Sequence, residues 1–311
     1  MGRLYASGCQ NYTSSVKEEC LVLARIGSFA GCQLFCTLLV LYNGLNRYLF
    51  SSSRLSKFYG PKYSNRSPRD QRHLRLIHVG LLMSSMAAPS IAIPISMVLW
   101  GEYTWLDSFG TGITLADMAI VPVVAFPAWA VFDLIYSEKL PPLYIMHHLG
   151  IVLAMEGTAA MIMNLPTNDE SRVIYISQAL QVTATWGKHW LSKPSVIALV
   201  TYVPVLLSSI GDTVSRIPYL VRNLFSWSPR ALQNLLSAGL TIFASITFLE
   251  AAIVAHLLLT RCNRLPTHWA LPIYLLQALF TVTKYRTAMQ LFNIWQKQNA
   301  DNRKVEGIPK M

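Results

Sequence analysis

Residues 125–164 read AFPAWAVFDLIYSEKLPPLYIMHHLGIVLAMEGTAAMIMN, and this stretch decides the fold. Two apolar segments are joined by the short polar link Ser137-Glu138-Lys139. A link that short makes its two segments antiparallel neighbours. Inside them sit Asp133, the adjacent pair His147-His148, and Glu156. Ionisable groups at membrane depth are costly, so they face a bundle interior or a wet cavity and mark function. The expectation is two helices of a bundle with chemistry held between them.

Composition supports a membrane setting. The 311 residues are 53% hydrophobic and 13% charged, with mean hydropathy +0.37. A soluble domain carries about 25% charged residues. The sequence predicts an all-α membrane protein, a bundle of 7–8 transmembrane helices. Lys and Arg number 26 against 15 Asp and Glu, a net charge of +11. The cations cluster in loops, and their runs lack the interleaved aromatics of a nucleic-acid surface. The expected partner is a membrane lipid or long-chain amphiphile, with no nucleic acid.

Outward from the central stretch, the chain divides as follows. Residues 1–20 form a tail with the sequon Asn11-Tyr12-Thr13 between Cys9 and Cys20. Residues 21–45 form a first span, long enough for a signal anchor rather than a cleaved leader. Cys32 and Cys36, one turn apart there, read as packing residues. Residues 46–74 form a basic loop. From Arg47 to Arg75 there are eight Lys or Arg against Asp70 alone, which places the loop in the cytosol and the amino terminus in the lumen. On that orientation Asn11 is glycosylated and Asn65 is not. Ser, Pro and Gly between Ser51 and Pro68 predict an irregular loop on the headgroups.

Spans follow at about 75–100, 112–136, 142–163, 172–191, 195–221 and 232–260. Charge alternation runs 195–221 from cytosol to lumen and 232–260 back. The segment 269–283 is short and meets Lys284 and Arg286. Seven spans leave the basic tail cytosolic, and eight place it outside. Residues 261–311 hold this ambiguous segment and the tail.

The pair His147-His148 is the sharpest local signal. Neighbouring residues on a helix point about 100° apart. One ring can face a cavity while the other meets an adjacent helix. A neutral imidazole suits a nucleophile or general base; the alternative is two buried rings that fix packing. Asp133 orients a histidine or holds its charged form, or it snorkels to the nearby interface. Asp117 can serve likewise at the other end of its span. Asp212 and Arg216 stand at i, i+4 and read as an intrahelical ion pair. The remaining histidines, His73, His78, His189, His256 and His268, make no HxxxH or HxxHH box, so no metal is expected.

The run from Ala116 to Trp190 resembles the TRAM/LAG/CLN (TLC) domain. The resemblance rests on the late acid in Val131-Phe132-Asp133-Leu134, the short link, and Tyr144-Ile145-Met146-His147-His148 opening the next span. It rests also on Trp186 to Trp190, and on the basic entry to the second span with His78 and Ser84. It implies a TLC-like domain over 75–260, an endoplasmic-reticulum membrane and six spans around a lipid-accessible cavity. In the ceramide synthase branch the paired histidines and nearby aspartates serve acyl transfer from acyl-CoA to a sphingoid amine. Other branches are linked to membrane lipid composition. Here Gln178 and Gln181 stand where many members carry an acid, and no aspartate-rich stretch follows the histidine span. The chain is therefore more similar to the general TLC-domain proteins than to the ceramide synthases.

Three functions are carried forward. The first is a lipid-binding protein acting as an acyltransferase, with His147, His148 and Asp133 catalytic, acyl-CoA as co-substrate and no other cofactor. Its substrate-binding residues are expected at Asp117, Glu156, Gln181 and Trp186. The second is a non-catalytic lipid sensor whose histidines are structural. The third is a cyclase of prenylated metabolites that protonates its substrate with Glu156 or Asp212.

Overall fold

The computed structural model describes residues 29–101, 103, 107–110, 113–138, 140–164, 196–261 and 267–305. The described chain is all-α, without a β-strand. Its helices are α1 (Phe29–Gly44), α2 (Ser52–Tyr59), α3 (Pro61–Ser64), α4 (Pro68–Trp100), α5 (Leu115–Tyr136), α6 (Pro142–Asn164), α7 (Val196–Leu224), α8 (Pro229–Arg261) and α9 (Thr267–Val305). A π-helical turn, Leu45–Leu49, continues α1. Among the described residues three helices are long and apolar enough to cross a membrane, over Pro68–Val98, Asp117–Tyr136 and Pro229–Ala252. The 33 residues of α4 span about 50 Å. A hydrocarbon core is about 30 Å thick, so an α4 that crosses it projects its basic first turns beyond.

Helix starts follow local chemistry. Ser67 caps α4, its hydroxyl accepting from Asp70 N, and Pro68 occupies the first turn, where no N–H partner is needed. Thr114 and Asp117 form a reciprocal capping box on α5. Asp117 Oδ2 accepts from Thr114 N at 3.0 Å and from Thr114 Oγ1 at 2.7 Å. Pro89 and Pro94 lie inside α4, Pro122 and Pro127 inside α5. Near them the backbone gains side-chain donors: Ser90 donates to the carbonyls of Met86 and Ala87, and Tyr42 of α1 to that of Ala125.

Helices α4 to α9 close a ring. In order around it, α4 packs on α5, α5 on α6, α6 on α9, α9 on α8, α8 on α7, and α7 on α4. Helix α1 lies outside, against α5. Tyr42, Trp129 and Phe132 interlock there edge-on or tilted, with centroids 5.5–6.0 Å apart. Neighbours in the ring run antiparallel. Glycines permit two close approaches. A methyl on Gly80 would overlap the Arg216 guanidinium, and one on Gly150 would press within 3.2 Å of Leu276, Leu279 and Phe280.

Three features differ from the sequence reading. Residues 51–68 hold two short helices rather than an irregular loop. Gly60 turns between them at φ 61°, a left-handed conformation that favours glycine. Leu55 and Tyr63 pack with Leu74, Leu220 and Leu224. That packing, with Arg66 Nη2 donating to Asn223 O at 3.0 Å, carries the carboxyl end of α7 to the basic-loop end of the bundle. The expected direction of 195–221 is therefore reversed, and so is that of 232–260. Arg261 lies at the far end, and α9 returns to the basic-loop end. Cys32 and Cys36 are free and exposed rather than packed.

Candidate functional site

Inside the ring is a chamber of about 400 Å³. All six ring helices line it except α4, whose basic first turns line an outer vestibule of about 650 Å³. Trp129, Asp133, Tyr144 and Arg216 line both. The vestibule opens among Arg69, Asp70, Arg72, His73 and Glu138 at the basic-loop end, where Arg72 and Glu138 pair at 2.5 Å.

The two histidines are held differently. His148 is buried. Its Nδ1 lies 2.7 Å from the Tyr144 carbonyl, which only accepts, so Nδ1 carries a proton. Its Nε2 lies 3.1 Å from Asp133 Oδ2, and that contact shares a proton. Asp133 Oδ1 accepts from Ser137 Oγ at 2.5 Å. The short link thus fixes the acid on α5 and the ring on α6 at one depth. His147 reaches across to α9, its Nδ1 3.0 Å from Thr283 Oγ1. The Thr283 hydroxyl has one proton and two carbonyls in reach, Leu279 at 3.0 Å and Phe280 at 2.8 Å. Donating there, its oxygen accepts from His147 Nδ1–H. Nε2 of His147 then keeps the lone pair of a base or nucleophile.

Arg216 stands at the junction of the two cavities. Its guanidinium lies 3.1 Å from Asp212 and 5.4 Å from the centre of the Trp129 ring. The expected i, i+4 ion pair is present, and it faces the cavities rather than serving packing alone. Deeper in the chamber, Lys284 of α9 is paired with Glu250 of α8 and hydrogen-bonded to Ser208 of α7.

The structure therefore brings His147, His148 and Asp133 together. Asp117 caps α5 at the opposite end from them and lines neither cavity, because its carboxylate is turned to the backbone of its own first turn. Glu156 lies on α6 beyond the described side chains; Gln181, Trp186 and Asn11 lie outside the described residues. Sequence reading missed Thr283, Lys284 and Glu250 as site residues. The available signal was an acid inside one apolar segment and a lysine breaking another, which need each other as partners. Among the described residues no group of three His, Cys, Asp or Glu is placed to hold a metal. Comparison with protein-family models, curated proteins and solved structures returned no match.

Proposed function

We propose that this chain is a multi-pass membrane protein with a TLC-like bundle that binds the acyl chain of a membrane lipid or long-chain amphiphile. It transfers an acyl group from acyl-CoA by way of His147. One observation carries the reading: a vestibule rimmed by charged side chains and a more apolar chamber meet at Asp133 and Arg216, beside the two histidines. An acyl thioester has the same division, a charged head and an apolar tail with the reactive carbonyl between. The basic loop and the sequon at Asn11 support an endoplasmic-reticulum membrane with a lumenal amino terminus.

In this mechanism His147 Nε2 attacks the thioester carbon. The C–S bond breaks and CoA leaves as the thiolate. Thr283 holds the Nδ1 proton, and Arg216 supplies fixed positive charge at the junction where the carbonyl oxygen becomes negative. The acceptor then takes the acyl group, its proton passes to the thiolate, and the imidazole is restored. His148 and Asp133 orient the neighbouring ring and keep a proton at hand.

The test is CoA release from labelled acyl-CoA by purified protein with a panel of lipid acceptors. His147→Ala is expected to lower turnover by about 10²–10⁴-fold, with Asp133→Asn costing less. Both variants should keep the wild-type melting temperature in detergent to within a few degrees. Turnover indifferent to His147 would sink the catalytic reading.

A second reading is non-catalytic lipid sensing. It is favoured by the engagement of both His148 nitrogens and of His147 Nδ1, which suits rings that lock helices. It predicts that the histidine variants lose thermal stability and that acyl-CoA is never consumed. The cyclase reading needs an acid free to protonate an olefin. Of its two candidates, Asp212 faces Arg216, which disfavours that role, and Glu156 lies beyond the described side chains.

A further inference from the structure

Of the ion pairs lining the chamber, two belong to the histidine junction and one does not. Lys284 pairs with Glu250, and its Nζ also donates to Ser208 Oγ at 3.0 Å. Ser208 Oγ in turn lies 3.5 Å from Glu250 Oε2, placed to donate to it. Three helices thus bring a cation, a carboxylate and a hydroxyl to one spot on the chamber wall. The two charged side chains are only 19% and 9% exposed. Replacing a buried ion pair by apolar residues of similar volume is often neutral or stabilising, so stability alone gives no reason for the pair.

Two arguments define what it binds. The first is charge. Asp133 faces His148, Asp212 faces Arg216, Glu250 faces Lys284, and His147 faces the Thr283 hydroxyl rather than a charged group. The described charges cancel within the chamber, so a ligand group with net charge would enter a low-dielectric space without a counterion. The second is the Ser208 hydroxyl itself. It accepts from the ammonium and donates to the carboxylate, the two things a ligand hydroxyl does. A ligand ammonium would meet Lys284, and a ligand carboxylate would meet Glu250.

We propose that the Lys284–Glu250 pair is a subsite for the hydroxyl of a neutral long-chain lipid whose chain lies along the apolar chamber wall. Resting on the acyl-transfer reading, this makes the acceptor a neutral alcohol. The binding itself requires no turnover.

The experiment uses the full chain purified in detergent. A diazirine-bearing hexadecanol is cross-linked to it in competition with 1-hexadecanol, hexadecylamine or hexadecanoate, which share one chain length. Hexadecanol should compete about tenfold better than either charged compound, a difference of about 1.4 kcal/mol. Glu250→Gln strands the lysine and should shift the order toward hexadecanoate. Lys284→Met strands the carboxylate and should shift it toward hexadecylamine. Lys284→Met/Glu250→Gln leaves neither charge unpaired, and in it hexadecanol should compete about tenfold less well than in the wild type, while both charged compounds stay weak. A wild-type preference for the amine or the acid, or hexadecanol competition that is undiminished in the double variant, overturns the proposal. Tyr59→Phe, at a residue that lines neither cavity, should leave the order unchanged. Absent acyl-CoA turnover with the order intact refutes only the catalytic reading, and intact turnover without the order refutes only this one.

Discussion

At the scale of single residues, the state of His147 depends on one hydroxyl. Thr283 accepts from Nδ1–H, so Nε2 is the nitrogen left with a lone pair. Thr283→Val keeps the volume and removes the acceptor. A buried donor without a partner costs about 1–3 kcal/mol, and the tautomer is no longer chosen. Acyl-CoA turnover should fall by about tenfold or more and return in Thr283→Ser; equal turnover in Thr283→Val would show that this contact does not select the tautomer. His147, His148 and Asp133 were legible in the sequence because ionisable side chains stand out in apolar runs. Thr283 was not: a threonine in an apolar segment is unremarkable, and its partner lies 136 residues away. Lys284 shows the same limit from the other side. It read as the polar end of a short segment, whereas its charge is met inside the bundle by Glu250.

At the scale of elements, the short helices α2 and α3 clamp the mouth of the bundle. Tyr59 OH lies 2.8 Å from His78 Nε2, while His78 Nδ1 lies 2.7 Å from the Leu74 carbonyl. The carbonyl fixes the proton on Nδ1, so Nε2 accepts and the phenol donates. Burial pushes the Tyr59 phenol up, which keeps that donor proton in place through the neutral range. His78, matched at first to the opening of a TLC domain, thus ties α2 to α4. Tyr59→Phe leaves a buried ring nitrogen unpaired and should destabilise the protein by about 1–3 kcal/mol, read as a lower melting temperature with unchanged acceptor preference. An unchanged melting temperature would mean that the clamp contributes nothing. The sequence showed Ser, Pro and Gly over 51–68 and suggested a loop. The helices form because Leu55, Tyr59 and Tyr63 find apolar surface on α4 and α7, which composition alone does not reveal.

At the scale of the whole molecule, the ring sets which ends share a side. Arg66 and Asn223 touch, so residues flanking them must lie on one face of a membrane. With the native cysteines replaced, Ser64→Cys and Ser226→Cys should react with an impermeant maleimide from the same side in sealed microsomes. That side should be cytosolic, with Asn11 glycosylated and Asn65 not. Labelling from opposite sides would break the ring order, and a glycan on Asn65 would invert the orientation. The charge pattern had α7 and α8 pointing the other way, because loop charge was counted segment by segment. The contact of α7 with α4 is non-local, and it decides the direction.

The sequence by itself determined that this chain is helical and apolar enough for a membrane, and it put Asp133 and the histidine pair at neighbouring ends of two adjacent helices. Those properties are local: hydropathy accumulates along one segment, and a short link forces its flanking helices side by side. Only the tertiary structure decided that the site has a far wall. Thr283, Lys284, Glu250, Ser208 and Arg216 come from three other helices. Their convergence depends on the order in which helices close the ring, and that order is set by side-chain packing across it rather than by any pattern within one helix.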